Sequence, residues 1–144
     1  MNIQAVRTAR LLGWGGVIPF IAMPVLAWSS GPDWLETLLL AYGAVIAAFM
    51  AGSLWARHIL VEASTARMLL ASNALALAAW PVVLMPLALG AGWLALIFAV
   101  HLVLDQPWRS HGLPGWYRRL RLALSISVLV LLVLAALIGV DSVF

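Results

Sequence analysis

The 144-residue chain is 65% hydrophobic and 9% charged, with a mean hydropathy of +1.09 and a net charge of +3, whereas a soluble domain is about half apolar and a quarter charged. That composition excludes an ordinary soluble domain and indicates a polytopic membrane protein. The absence of cysteine excludes disulfides, thiolate metal sites and thiol catalysis. The basic residues are dispersed in short loops rather than gathered on a hydrated face, which argues for membrane lipids and against nucleic acid as partners.

In chain order, Arg7 and Arg10 precede a first apolar stretch at 11–28. The opening has the outline of a signal peptide, with small residues near Ser29, and is read as a retained helix. Gly31-Pro32-Asp33 supplies turn chemistry before a second stretch at 35–55. An amphiphilic segment containing Arg57 and Arg67 leads to a third at 68–89, and Gly90-Ala91-Gly92 reads as a minimal hairpin. The fourth stretch, 91–106, has an apolar run of only 14 residues, Ala91–Leu104, against the ~20 that a membrane helix needs. A loop bearing Arg109, Arg118, Arg119 and Arg121 precedes the fifth, 122–140.

All eight fixed positive charges are arginines, and with five spans they all fall on one side, while Asp33, Glu36 and Asp141 fall on the other. The positive-inside rule then makes the fourth stretch a span and places the N-terminus in the cytoplasm and the C-terminus outside. The expectation is an all-α integral membrane protein, a compact up-and-down bundle of five transmembrane helices forming one domain over 1–144. Its address is the bacterial cell inner membrane, or the mitochondrial inner membrane in a eukaryote.

The second stretch carries small residues on adjacent stripes, Gly43, Ala47 and Ala51 beside Ala44, Ala48 and Gly52, which let helices approach closely and predict a central position. The Leu- and Val-rich fifth is expected to face lipid. Trp28, Trp34, Trp55, Trp93, Trp108 and Trp116 fall near the interfaces, and Trp14 and Trp80 deeper. Two stretches repeat P-x-x-x-M-P, Pro19 to Pro24 and Pro81 to Pro86, and Trp55-Ala-Arg57-His58 rhymes with Trp108-Arg109-Ser-His111. A duplicated helical hairpin followed by one further helix would produce both, as would chance in an apolar sequence. Each mid-span proline frees a carbonyl and invites a kink, so the first and third helices could open a cavity.

Polar groups within a membrane are costly and are the functional candidates. His101 and Asp105 stand at i, i+4 on the fourth helix, and His58 and Glu62 repeat that spacing beyond the second. The four could converge as a metal or proton-handling cluster. The plainer reading is structural, with Asp105 needing a positive neighbour near a helix C-terminus and Arg109, one turn on, supplying it. Asn73 reads as interhelical glue and Tyr42 as an interhelical anchor, each with a lesser chance of lining a pocket. No Ser–His–acid grouping, phosphate loop or midplane ionisable residue is present, so no enzyme is expected.

Leu12-Gly-Trp-Gly-Gly-Val-Ile-Pro-Phe20, Leu40-Ala-Tyr-Gly-Ala-Val-Ile46 and Gly112-Leu-Pro-Gly-Trp-Tyr-Arg-Arg-Leu-Arg-Leu122 together resemble the transmembrane-protein-69-like family of bacterial and mitochondrial membrane proteins. The resemblance implies a fold and a membrane address but no reaction. A Gly-Gly-x-His-Trp-Gly pattern of that family becomes Ala51-Gly-Ser-Leu-Trp-Ala56 here, with Leu54 in place of the histidine. A looser architectural likeness is to the tryptophan-rich sensory (translocator) proteins, which bind porphyrins and lipophilic ligands.

The favoured expectation is a non-enzymatic accessory or assembly component of a larger membrane complex, or a homo-oligomer, without a cofactor. The alternative is a binding bundle for a lipophilic or tetrapyrrole ligand such as haem, using Trp14, Tyr42, Asn73 and Trp80. A weaker one is proton or metal handling at His58, Glu62, His101 and Asp105, although no dedicated metal site is expected. Arg109, Trp116, Arg118, Arg119 and Arg121 are the residues expected to contact lipid or a partner.

Overall fold

The computed structural model describes residues 2–29, 32, 34–60, 66–106 and 113–141. The regular elements among them are helical: α1 (Ile3–Gly15), α2 (Ile18–Trp28), α3 (Trp34–Leu60), α4 (Ala66–Ala79) continued by a 3₁₀ turn (Trp80–Leu84), α5 (Leu87–Asp105) and α6 (Gly115–Asp141). Five segments are long and apolar enough to cross a membrane: Ile3–Ala27, Trp34–Leu60, Ala66–Leu84, Leu87–Asp105 and Gly115–Gly139.

The five expected stretches are all present as helices, but their ends differ, several starting earlier and the third stopping at Leu84. The first begins at Ile3, where the Asn2 side chain accepts from the Gln4 N–H at 3.0 Å and caps the turn. The last begins at Gly115, two turns before the apolar run. Hydropathy marks depth in lipid and not helix ends, because a polar helical turn satisfies its backbone equally well in water.

The turn between the third and fourth spans is also displaced. It falls at Met85-Pro86 rather than at Gly90-Ala91-Gly92, which lie inside α5. Met85, preceding a proline, is driven to an extended conformation (φ −96°, ψ 151°), and this ends the 3₁₀ turn. Gly90 serves packing instead, since a Cβ there would lie 2.7 Å from Leu40 Cδ1. With these residues α5 reaches 19 positions, a full crossing length without appeal to charge.

Both proline-bearing spans break their hydrogen-bond ladder in the same way. Around Gly16 the ladder tightens, with Val17 N–H bonding Trp14 O and Phe20 N–H bonding Val17 O. In that register the donor for Gly16 O would be residue 19, a proline. The Tyr42 hydroxyl of α3 donates to Gly16 O instead, at 2.9 Å, with its ring edge-on to Phe20 at 5.2 Å. In the third span the 3₁₀ donor for Ala78 O would be Pro81, and the Trp93 indole of α5 donates to that oxygen at 2.9 Å. The orphaned carbonyl stands three residues before the first proline in each case, and an aromatic donor from the following helix satisfies it. The motifs part at their second proline: Pro24 stays inside α2, whereas Pro86 opens α5.

α3 is central, as its small-residue stripe predicts. It buries Leu39, Leu40, Gly43, Ala47, Ala51 and Leu54 against α2, α4 and α5. Leu94 reaches into the space over Gly43, where a Cβ would stand 2.6 Å from its Cδ1. α6 departs from the lipid-facing expectation, because it packs along α5 and buries Val128, Leu132 and Ala135. Its Val130, Val133, Leu134 and Leu137 remain outward. α1 is the opposite case and contains no buried residue.

Candidate functional site

The polar groups of this apolar bundle gather at its arginine-bearing end, where α3, α5 and α6 each supply two residues at i, i+4. These are Ser53 and Arg57, His101 and Asp105, and Tyr117 and Arg121. That spacing puts each pair on one helix face, and the three faces meet.

Asp105 is 2% exposed and Arg121 8%. Arg121 Nε donates to Asp105 Oδ2 at 2.5 Å, and Arg57 Nη1 lies 2.9 Å from Asp105 Oδ1. The rest of the Arg121 fork is also engaged: Nη1 donates to the Tyr117 hydroxyl at 3.0 Å, and Nη2 to Ser53 Oγ at 2.8 Å. Nη2 also lies 3.4 Å from His101 Nε2. Guanidinium has only donors, so that nitrogen must be the acceptor of a neutral imidazole carrying its proton on Nδ1. Ser53 in turn donates to Met50 O at 2.7 Å. One carboxylate thus bridges two arginines across three helices, in surroundings where a lone charge would be strongly disfavoured.

This arrangement corrects the sequence reading at several points. Asp105 does find positive neighbours, and among the described residues Arg57 and Arg121 supply them. α5 ends at Asp105, where Gln106 turns left-handed (φ 41°). Arg109 itself, like Glu62, lies outside the described residues. Arg121, expected at the surface, is buried in the network because its helix turns that face toward α3 and α5. His101 and Asp105 both contact the Arg121 guanidinium, His101 at 3.4 Å and Asp105 at 2.5 Å. His58 is half-buried on α3, and its Nε2 has no hydrogen-bond partner among the described residues. Among the described residues no three of His, Asp or Glu lie close enough to hold a metal ion.

Ser53, Arg57 and Tyr117 were missed by the sequence reading, although two further i, i+4 polar pairs at the same end were available to find them.

Residues 5–137 match the model of a family described as a protein of unknown function, DUF3429. The chain belongs to the DUF3429 family. No curated protein and no solved structure matches it. The DUF3429 match carries no activity, and it does not bear on the resemblance drawn from the motifs or on the looser architectural one.

In this DUF3429 member the four residues expected to line a ligand pocket do not meet. Tyr42 is committed to Gly16 O, while Trp14 and Trp80 face outward at 49% and 73% exposure. Asn73 is exposed on α4, where its Nδ2 donates to Leu69 O at 2.9 Å rather than across helices, and Ser72 Oγ donates to the same oxygen. Among the described residues, clefts indent the bundle, and two bear on these four. One, of about 150 Å³, lies among α1, α3, α5 and α6, with Gly13, Phe49, Phe98 and Leu124 in its walls. The other, of about 180 Å³, is a groove between α3 and α4 lined by Ala48, Gly52, Trp55, Asn73 and Ala76. Neither holds more than one of the four.

Proposed function

We propose that this protein is a non-enzymatic structural component of a bacterial inner membrane, self-associating through the groove between α3 and α4. The observation that carries the reading is the pairing of Gly52 with Asn73. A Cβ on Gly52 would meet nothing within 4 Å, as on Gly15 and Gly92, whereas Cβ atoms on Gly13, Gly43, Gly90 and Gly139 would each meet a neighbour within 3 Å; of the three open glycines Gly52 alone stands beside Asn73 in the groove. A helical glycine weakens its helix by ~1 kcal/mol relative to alanine, and no packing among the described residues accounts for Gly52. Beside it in the groove stands Asn73, an exposed amide that is self-complementary as donor and acceptor. Small residues flanking an amide make a helix–helix seam, and a two-fold axis through the groove would set each Asn73 against its copy.

The ion cluster supports a structural role, since its arginines and aspartate are engaged by protein groups from three helices. It fastens α3, α5 and α6 at one end. The arginine distribution supports a cytoplasmic N-terminus.

The test is the mass of the particle in mild detergent, with chemical cross-linking in membranes. Wild type runs as twice the protomer mass, and Gly52→Leu and Asn73→Leu run as protomers with their helical content unchanged. A wild type that remains a single protomer at all concentrations, or a stoichiometric second protein in its place, overturns the self-association.

A further inference from the structure

We propose a seat for one anionic phospholipid along the seam between α1 and α6, with its phosphate at Arg10 and Arg119 and an acyl chain in the apolar cleft above them.

The seam has a charged mouth and a dry interior. At the mouth the Arg10 guanidinium lies over the Trp116 ring, 5.8 Å from its centroid, and Trp116 packs edge-on to Tyr117 at 5.7 Å. Arg7 stands one turn from Arg10, and Arg119 one turn from Trp116. None of Arg7, Arg10, Arg118 and Arg119 has a carboxylate partner among the described residues, since the only ion pairs among these are those of Arg57 and Arg121 with Asp105. α6 also starts without an acidic residue in its first turn, which holds Arg118 instead. Cations there oppose the helix dipole, and an anion at the mouth relieves both conflicts.

Farther in, α1 stands off from its neighbours. Gly13 approaches α6 so closely that a Cβ would lie 2.8 Å from Leu124 Cδ1, and beyond that contact the cleft of about 150 Å³ opens among Gly16, Phe49, Phe98, Leu124 and Ser125. From Trp116 to Leu124 is eight residues, a rise of about 12 Å along α6. The headgroup layer occupies roughly 5–8 Å on each side of the hydrocarbon, so a phosphate held at the mouth puts its acyl chain at the depth of the cleft. Apolar cavities near 150 Å³ take guests of about benzene size, which suits a length of chain and not a whole tetrapyrrole. Positive charge at the rim, an aromatic at the interface and an apolar slot below match an amphiphile bearing a negative phosphate.

The experiment is native mass spectrometry of the detergent-purified protein after exchange into equimolar phosphatidylglycerol and phosphatidylcholine. Phosphatidylglycerol is retained several-fold over phosphatidylcholine by wild type. At about fivefold per arginine near a charged surface, Arg10→Gln with Arg119→Gln brings the ratio close to one, with thermal stability in lipid-free detergent unchanged. Ser125→Leu, which fills the cleft and leaves the arginines alone, lowers retention of both lipids. Glycerol phosphate at the same concentration does not displace the bound lipid. Equal retention of the two lipids by wild type, a preference that survives the double arginine variant, or displacement by glycerol phosphate overturns the proposal.

Discussion

Arg121 grips Asp105 at 2.5 Å across sixteen residues of sequence, from the first turns of α6 to the last residue of α5. The contact closes the end of the bundle where the chain leaves one helix and enters the next, and Arg57 of α3 completes it on the other carboxylate oxygen.

Removing one partner from a buried ion pair leaves an uncompensated charge, at a cost of ~3–5 kcal/mol. Asp105→Asn and Arg121→Leu are each expected to destabilise the protein by about that much, read as a shift in the unfolding midpoint in mixed micelles. The double variant Asp105→Leu with Arg121→Leu should lose less than the sum of its single Leu variants, because neither charge then remains without the other.

Tyr42→Phe keeps the ring against Phe20 and removes only the hydroxyl. Leaving Gly16 O without its donor should lower stability by ~1–3 kcal/mol. Trp93→Phe should produce a similar loss through Ala78 O. An unchanged melting temperature in both would show that the broken ladders need no outside donor.

The glycines separate packing within the chain from packing outside it. Gly139→Ala would set a Cβ 2.9 Å from the backbone nitrogen of Ala88, which cannot give way as a side chain does, and should destabilise the protomer. Gly52→Ala has open space, so helix propensity alone acts and the protomer should gain up to ~1 kcal/mol. The same change should weaken self-association, a combination visible by measuring melting and particle mass on one sample.

A periplasmic reporter such as alkaline phosphatase, fused after Phe144, should be active, and a fluorescent protein at the same place dark. The reverse pattern would move the arginine-bearing end to the outer face.

Much of this fold was legible because a bilayer-sized apolar run is a strong signal. Four such runs are in the sequence, the one-sided arginines argue for a fifth, and the stripe from Gly43 to Ala51 marked the central helix. The displaced turn at Pro86 was harder to see, because Gly90 and Gly92 look like a hairpin until Leu40 is known to occupy the space over Gly90. In the cluster, the demand of Asp105 for a positive neighbour could be read, but its partner could not. That α5 ends at Asp105 depends on the left-handed Gln106, a backbone event with no glycine to announce it. Asn73 looked like glue between helices, yet its amide finds Leu69 O first, because a carbonyl one turn back is always within reach.

The two stitched carbonyls bear on how the chain is made. Gly16 O and Ala78 O each depend on a donor that has not been synthesised when their own helix emerges, and each donor arrives with the very next one. A lone first or third helix would expose a bare carbonyl to hydrocarbon, whereas a helical hairpin would not. For a chain entering lipid from a translocation channel, partitioning would therefore be cheapest in pairs, α1–α2 with α3 and then α4 with α5. α6 follows last, and Arg121 cannot latch onto Asp105 until both pairs are in place.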